Sequence, residues 1–124
     1  MEKRKQFRLL PPPNTYAALG RNYTTVGKVK DISLGGLALE YIAGEETDLS
    51  SDIVDIFLVG SVFYCYNIAC QIEYDIQVYV PHVNNHFIKT LTTKRCGIRF
   101  KSLSEENRAQ LNLLLESNME RTSI

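Results

Sequence analysis

The chain has 124 residues, 44% hydrophobic and 23% charged, with 14 Lys/Arg balancing 14 Asp/Glu. That length suits a single domain able to bury roughly two thirds of its unfolded surface around one core, with no room for a separate catalytic module. No run of eighteen apolar residues occurs and no secretory leader precedes the basic start, so a soluble, cytoplasmic protein without membrane insertion is expected.

The chain opens on Glu2-Lys3-Arg4-Lys5-Gln6-Phe7-Arg8 and reaches Pro11-Pro12-Pro13. Three prolines in a row remove backbone donors and favour an extended course, so residues 1–13 read as a flexible basic arm. The charge is unevenly spread. Residues 1–30 hold seven Lys/Arg against one Glu, residues 31–86 hold nine Asp/Glu and no Lys/Arg, and residues 87–124 hold seven Lys/Arg against four Asp/Glu. Basic ends flanking an acidic middle suit an anionic ligand at the former and solvent or a basic partner at the latter.

After the arm, β-branched and aromatic runs between turn signals predict strands at Thr15 to Leu19, Tyr23 to Ile32, Gly36 to Tyr41, Ile53 to Val59, Val62 to Val80 with a possible break, and Phe87 to Lys101. Gly20-Arg21-Asn22 and Gly60-Ser61 read as tight turns; Gly44 to Asp48 and Pro81 to Asn85 read as loops. Ser104 is a good N-cap, with Glu105 and Glu106 placed to meet the positive end of a helix running to about Ser117. Leu111, Leu114, Leu115 and Met119 form one apolar stripe on it, suited to covering an open end or side of the β domain. Six strands and a single helix favour a closed barrel or sandwich. The domain is expected to span residues 14–118, with 119–124 as a tail.

Two segments carry ligand chemistry. Arg4 and Arg8 offer planar forks of donors that grip a phosphate or the O6/N7 edge of guanine with two bonds. Asp31-Ile32-Ser33-Leu34-Gly35-Gly36 supplies the complement: a carboxylate that accepts from guanine N–H groups, a hydroxyl that donates and accepts, and glycines that let backbone approach closely. By itself the first segment is an ordinary basic terminus and the second an ordinary Asx-type turn.

Taken together, Arg-x-x-x-Arg (Arg4, Arg8) followed by Asp-x-Ser-x-x-Gly (Asp31, Ser33, Gly36) resembles the PilZ domain family, over roughly residues 3 to 117. The resemblance implies an all-β fold, a six-stranded antiparallel Greek-key barrel with a C-terminal helix, and a bacterial receptor for cyclic di-GMP that signals to an effector protein. It assigns Arg4 and Arg8 to phosphate and guanine contacts, Asp31 and Ser33 to guanine or to holding the arginines, and Gly36 to backbone access. Gly35 joins them in the ligand-binding set, and Lys3 could add a contact. Monomer or dimer, and one ligand or a stacked pair, stay open. The alternative is a PilZ-like adaptor that binds only protein; single-stranded nucleic-acid binding by a small barrel is weaker, because the tyrosine-rich segment holding Tyr64, Tyr66, Tyr74 and Tyr79 is acidic and repels phosphate.

Neither an enzyme nor a metal protein is expected, and no cofactor beyond the dinucleotide ligand. Cys65, Cys70 and Cys96 lack Cys-x-x-Cys spacing, and on one regular strand Cys65 and Cys70 would face opposite sides. Only Cys96 has an electropositive neighbour in sequence, Arg95. His82 and His86 sit four apart in a stretch that reads as loop rather than helix.

Overall fold

Residues 10–20, 25–44, 52–78 and 92–122 are described by the computed structural model, with side chains of the final helix described through residue 116. Lys3, Arg4, Arg8, Arg21, Asn22, Tyr79, His82 and His86, and the side chain of Met119, lie outside that set. Thr15 N–H and Thr15 Oγ both donate to Pro12 O, at 3.1 and 2.7 Å, which turns the chain into the first strand.

Six strands follow: β1 (Thr15–Leu19), β2 (Thr25–Ile32), β3 (Gly36–Ala43), β4 (Ile53–Leu58), β5 (Tyr64–Gln77) and β6 (Thr92–Ser102). All pairings are antiparallel, and the order β1-β2-β3-β6-β5-β4 closes on itself through β1 and β4. Closure gives each of the six strands a strand neighbour on both sides within the chain. The turn ahead of β5 is the expected one: Gly60 has φ 81° and Ser61 N–H donates to Leu58 O at 3.2 Å.

The barrel interior is the core. Alternation along β3 sends Leu37, Leu39, Tyr41 and Ala43 inward and leaves Gly36, Ala38, Glu40 and Ile42 on the outer wall; β6 sends Cys96, Ile98 and Phe100 inward. One end of the interior is polar. Tyr41 Oη donates to Asp75 Oδ1 at 2.7 Å and Lys94 Nζ to Asp75 Oδ2 at 2.8 Å, so burial and the Asp75 carboxylate hold the Tyr41 phenol well above its ordinary range.

β5 departs from the sequence expectation. Register shifts occur opposite Val54/Ile56 on β4, at Ala69/Cys70 and at Ile72/Tyr74, and Asn67 takes φ 60°. These bulges let a single strand of 14 residues bend round the barrel in place of the expected break. They also overturn the simple parity argument for the cysteines. The extra residue beside Asn67 brings Cys65, Ile68 and Cys70 all into the core.

The helix α1 (Glu105–Thr122) runs longer than expected. Ser104 Oγ accepts Asn107 N–H at 3.0 Å and Ser104 O accepts Arg108 N–H at 2.9 Å, the N-cap read from sequence. Leu111 and Leu114 are buried in the core cluster, and Leu115 packs against it. No helix among the described residues is long and apolar enough to cross a membrane.

Candidate functional site

The segment Ile32-Ser33-Leu34-Gly35-Gly36 joins β2 to β3 and folds around one serine. Ser33 N–H donates to Gly36 O at 2.9 Å, and Ser33 Oγ accepts Gly35 N–H at 3.0 Å. Ser33 is only 4% exposed, so its hydroxyl first of all shapes the turn. Gly35 O accepts Phe100 N–H at 2.9 Å, tying the turn to β6. Gly36 is also fixed by that neighbour: a Cβ there would be driven into the carbonyl oxygen of Ile98. The glycine is thus required by close backbone approach within the barrel itself.

Asp31 lies one step before this turn, past a register shift between Val29 and Asp31, and pairs with Ala38. The bulge at Lys30 keeps Asp31 on the outer wall beside two successive rungs of the sheet. The first runs Asp31, Ala38, Gly97, Tyr74 across β2, β3, β6 and β5. Its middle positions have almost no side chain, and the Tyr74 ring lies directly on Gly97, where a Cβ would collide with it. The second rung runs Lys28, Glu40, Arg95, Ile76. Beyond the turn, Gly36 pairs with Arg99, whose Nη2 donates to Gln71 Oε1 at 3.0 Å and whose Nε stands 3.2 Å from Glu73 Oε2.

Arg95 is the charged centre of this wall. It forms an ion pair with Glu40, and that hydrogen bond, opposed by partial burial and reinforced by the charges of Glu40, Tyr74 and Asp31, pushes its already high pKa higher still. Its side chain is 39% exposed, while its buried Nε has no acceptor among the described residues. A half-exposed fork already aligned by Glu40 is pre-ordered for a planar or anionic guest.

Of the residues expected from sequence, the structure brings Asp31, Ser33, Gly35 and Gly36 together at the β2–β3 corner. Lys3, Arg4 and Arg8 lie outside the described residues. Tyr74, Arg95, Gly97 and Arg99 were not expected as site residues. The alternation of β6 about Cys96, with Arg95, Gly97 and Arg99 all on the opposite face, was the available signal. That same alternation separates Cys96 from Arg95. Burial pushes the Cys96 thiol up to about 12, so the sequence neighbour does not activate it. Cys65 and Cys70 are likewise pushed up to about 11 by burial. Among the described residues no three His, Cys, Asp or Glu side chains are grouped as metal ligands.

The sequence matches the family model of the PilZ domain over residues 2–117. A search of curated proteins finds no match. Three solved structures share the fold. The PilZ domain with c-di-GMP of YcgR from Escherichia coli aligns over 99% of this chain and 100% of its own, with TM-score 0.63 and 15% identity. YcgR in complex with c-di-GMP from Escherichia coli aligns over 97% of this chain and 47% of its own, at TM-score 0.64 and 20% identity. MrkH, described as a c-di-GMP-dependent transcription regulatory factor, aligns over 94% of this chain and 51% of its own, at TM-score 0.66 and 17% identity. The chain therefore spans about half the length of YcgR and MrkH.

Proposed function

This chain belongs to the PilZ domain family, and from that premise we propose that it is a cyclic di-GMP receptor that makes and breaks no bond. The solved relatives named above carry that dinucleotide or depend on it. The observation that carries the reading is the convergence of Asp31, the Ser33–Gly36 turn and the Arg95 guanidinium on one outer wall.

In this reading residues 1–13 are an arm that closes over that wall, and residues 14–118 are the domain it closes on. Arg4 and Arg8 grip phosphate and guanine edges, and Lys3 adds a cation. Asp31 accepts from guanine N–H groups, while Ser33 and Gly35 hold the turn that presents them. Gly36 brings the backbone of β3 near the ligand because no side chain intervenes. Arg95 supplies a further fork and Tyr74 an aromatic face for a base. The closed arm then offers a new surface to an effector protein in the cytoplasm, and the chain itself is no enzyme.

A ligand that binds only the folded state raises the melting midpoint, by about 2.7 kcal/mol of stability at a hundred times Kd. Adding cyclic di-GMP should raise the midpoint of the native chain and leave that of Asp31→Ala nearly unmoved. An unshifted midpoint for the native chain at millimolar nucleotide would instead favour the adaptor that binds only protein.

A further inference from the structure

Followed round the barrel, the rung that holds Arg95, Glu40 and Lys28 continues into an aromatic ladder on the opposite wall. Tyr16 pairs with Lys28 on one side and Phe57 on the other, and Phe57 pairs with Tyr64. The rings stack: centroids are 6.2 Å apart for Tyr16–Phe57 and 5.8 Å for Phe57–Tyr64, with Tyr66 tilted against Tyr64 at 5.8 Å. Tyr64 and Tyr66 are 37% and 49% exposed.

The exposed end of the ladder is built by a strained bulge. Asn67, in the left-handed region at φ 60°, donates its N–H to Asp55 Oδ1 at 2.8 Å, and Tyr64 Oη donates to Asp55 Oδ2 at 2.9 Å. Asp55 is itself buried. A non-glycine residue held in that conformation costs free energy, and the carboxylate that holds it also anchors the Tyr64 hydroxyl. Beside Tyr66 opens a hollow of about 280 Å³ lined by Tyr66, Asn67, Ser104, Glu106 and Asn107. That is below the usual size of a small-molecule pocket and suits one long side chain.

We infer that this ladder and hollow form a docking site for a partner protein that inserts an arginine from an extended or loop segment. Charge selects the occupant. Asp55, which accepts from Tyr64, and Glu106, which lines the hollow, put two carboxylates at this site, so a guanidinium is drawn in. The tyrosine faces then hold its plane, and the hydrogen bond from Tyr64 to the Asp55 carboxylate enriches the ring that receives it.

The site is tested by titrating the isotope-labelled full chain, without nucleotide, with tri-arginine, tri-lysine and tri-glutamate peptides while following amide shifts. Saturable changes centred on Tyr64, Tyr66 and Glu106 are expected, stronger for arginine than lysine and absent for glutamate. Tyr66→Ala and Glu106→Gln should each weaken tri-arginine binding about three- to thirtyfold while the amide spectrum of the folded barrel is retained. Changes spread evenly over acidic residues, or unaffected by either variant, would overturn the inference. So would the same shifts arising when the chain alone is concentrated, since the occupant would then be a second copy. Because nucleotide is left out, failure here leaves the cyclic di-GMP reading untouched.

Discussion

Gly36 and Ser33 belong both to the proposed ligand motif and to the fold. Gly36 faces the backbone of β6 with no space for a methyl group, and Ser33 spends its hydroxyl on Gly35 N–H. Gly36→Ala should therefore destabilise the native state by about 1–3 kcal/mol, read from urea unfolding, because the atom it meets is main chain and cannot rotate away. Arg8 is a different case: its charge is proposed to act on ligand alone. Arg8→Ala should leave the unfolding midpoint unchanged and weaken cyclic di-GMP binding roughly ten- to a hundredfold, the loss of one bidentate contact. Equal affinity of the two proteins in calorimetry would remove Arg8 from the site. Arg95 was not expected from sequence because its outward direction depends on the parity of β6 about Cys96, and its partner Glu40 is 55 residues away.

Among the elements, those set by local chemistry were the most legible. β1 and the start of α1 follow directly from a β-branched and aromatic run and from a serine cap with two acidic residues behind it. Ser104→Ala should cost about 1 kcal/mol of stability, since Asn107 N–H loses its acceptor. A cap that contributed nothing would leave thermal and urea midpoints of the variant superimposable on those of the native chain. β5 was the least legible. Its facing changes at two bulges, beside Asn67 and between Ile72 and Tyr74, and these arise from partners distant in sequence: Asp55 on β4 holds Asn67, and Gly97 on β6 makes room for Tyr74. Period-two reasoning has no term for such contacts, which is why Cys65 and Cys70 were expected on opposite faces.

For the molecule as a whole, the core carries three thiols as small apolar groups. Burial raises Cys65 and Cys70 from 9.0 to about 11 and Cys96 from 9.0 to about 12, and it raises Tyr41 too. The unfolded chain therefore sheds these protons at lower pH than the folded one. Their stabilising contribution is full below pH 9 and is lost as pH climbs through 11 to 12. Melting midpoints should fall steeply between pH 9 and 11, and thiol reagents at pH 8 should modify the cysteines only after denaturation. A flat profile with rapid labelling of the native protein would mean the core is open. Six strands and one helix with turn residues between them left a barrel or a sandwich open, and the closed barrel followed from the resemblance carried by Arg4, Arg8, Asp31, Ser33 and Gly36. The outer wall proposed to carry the ligand was readable only at Asp31 to Gly36, because it is assembled from β2, β3, β5 and β6 and exists only once the barrel closes.

The central claim is that this wall and the basic arm together hold cyclic di-GMP. Titration calorimetry of the full chain with that dinucleotide, at low and at raised salt, tests it most directly. The account predicts a saturable heat with a defined stoichiometry and an affinity that falls as salt screens the two phosphates. No heat of binding at either salt concentration, from a protein that melts cooperatively, would contradict it.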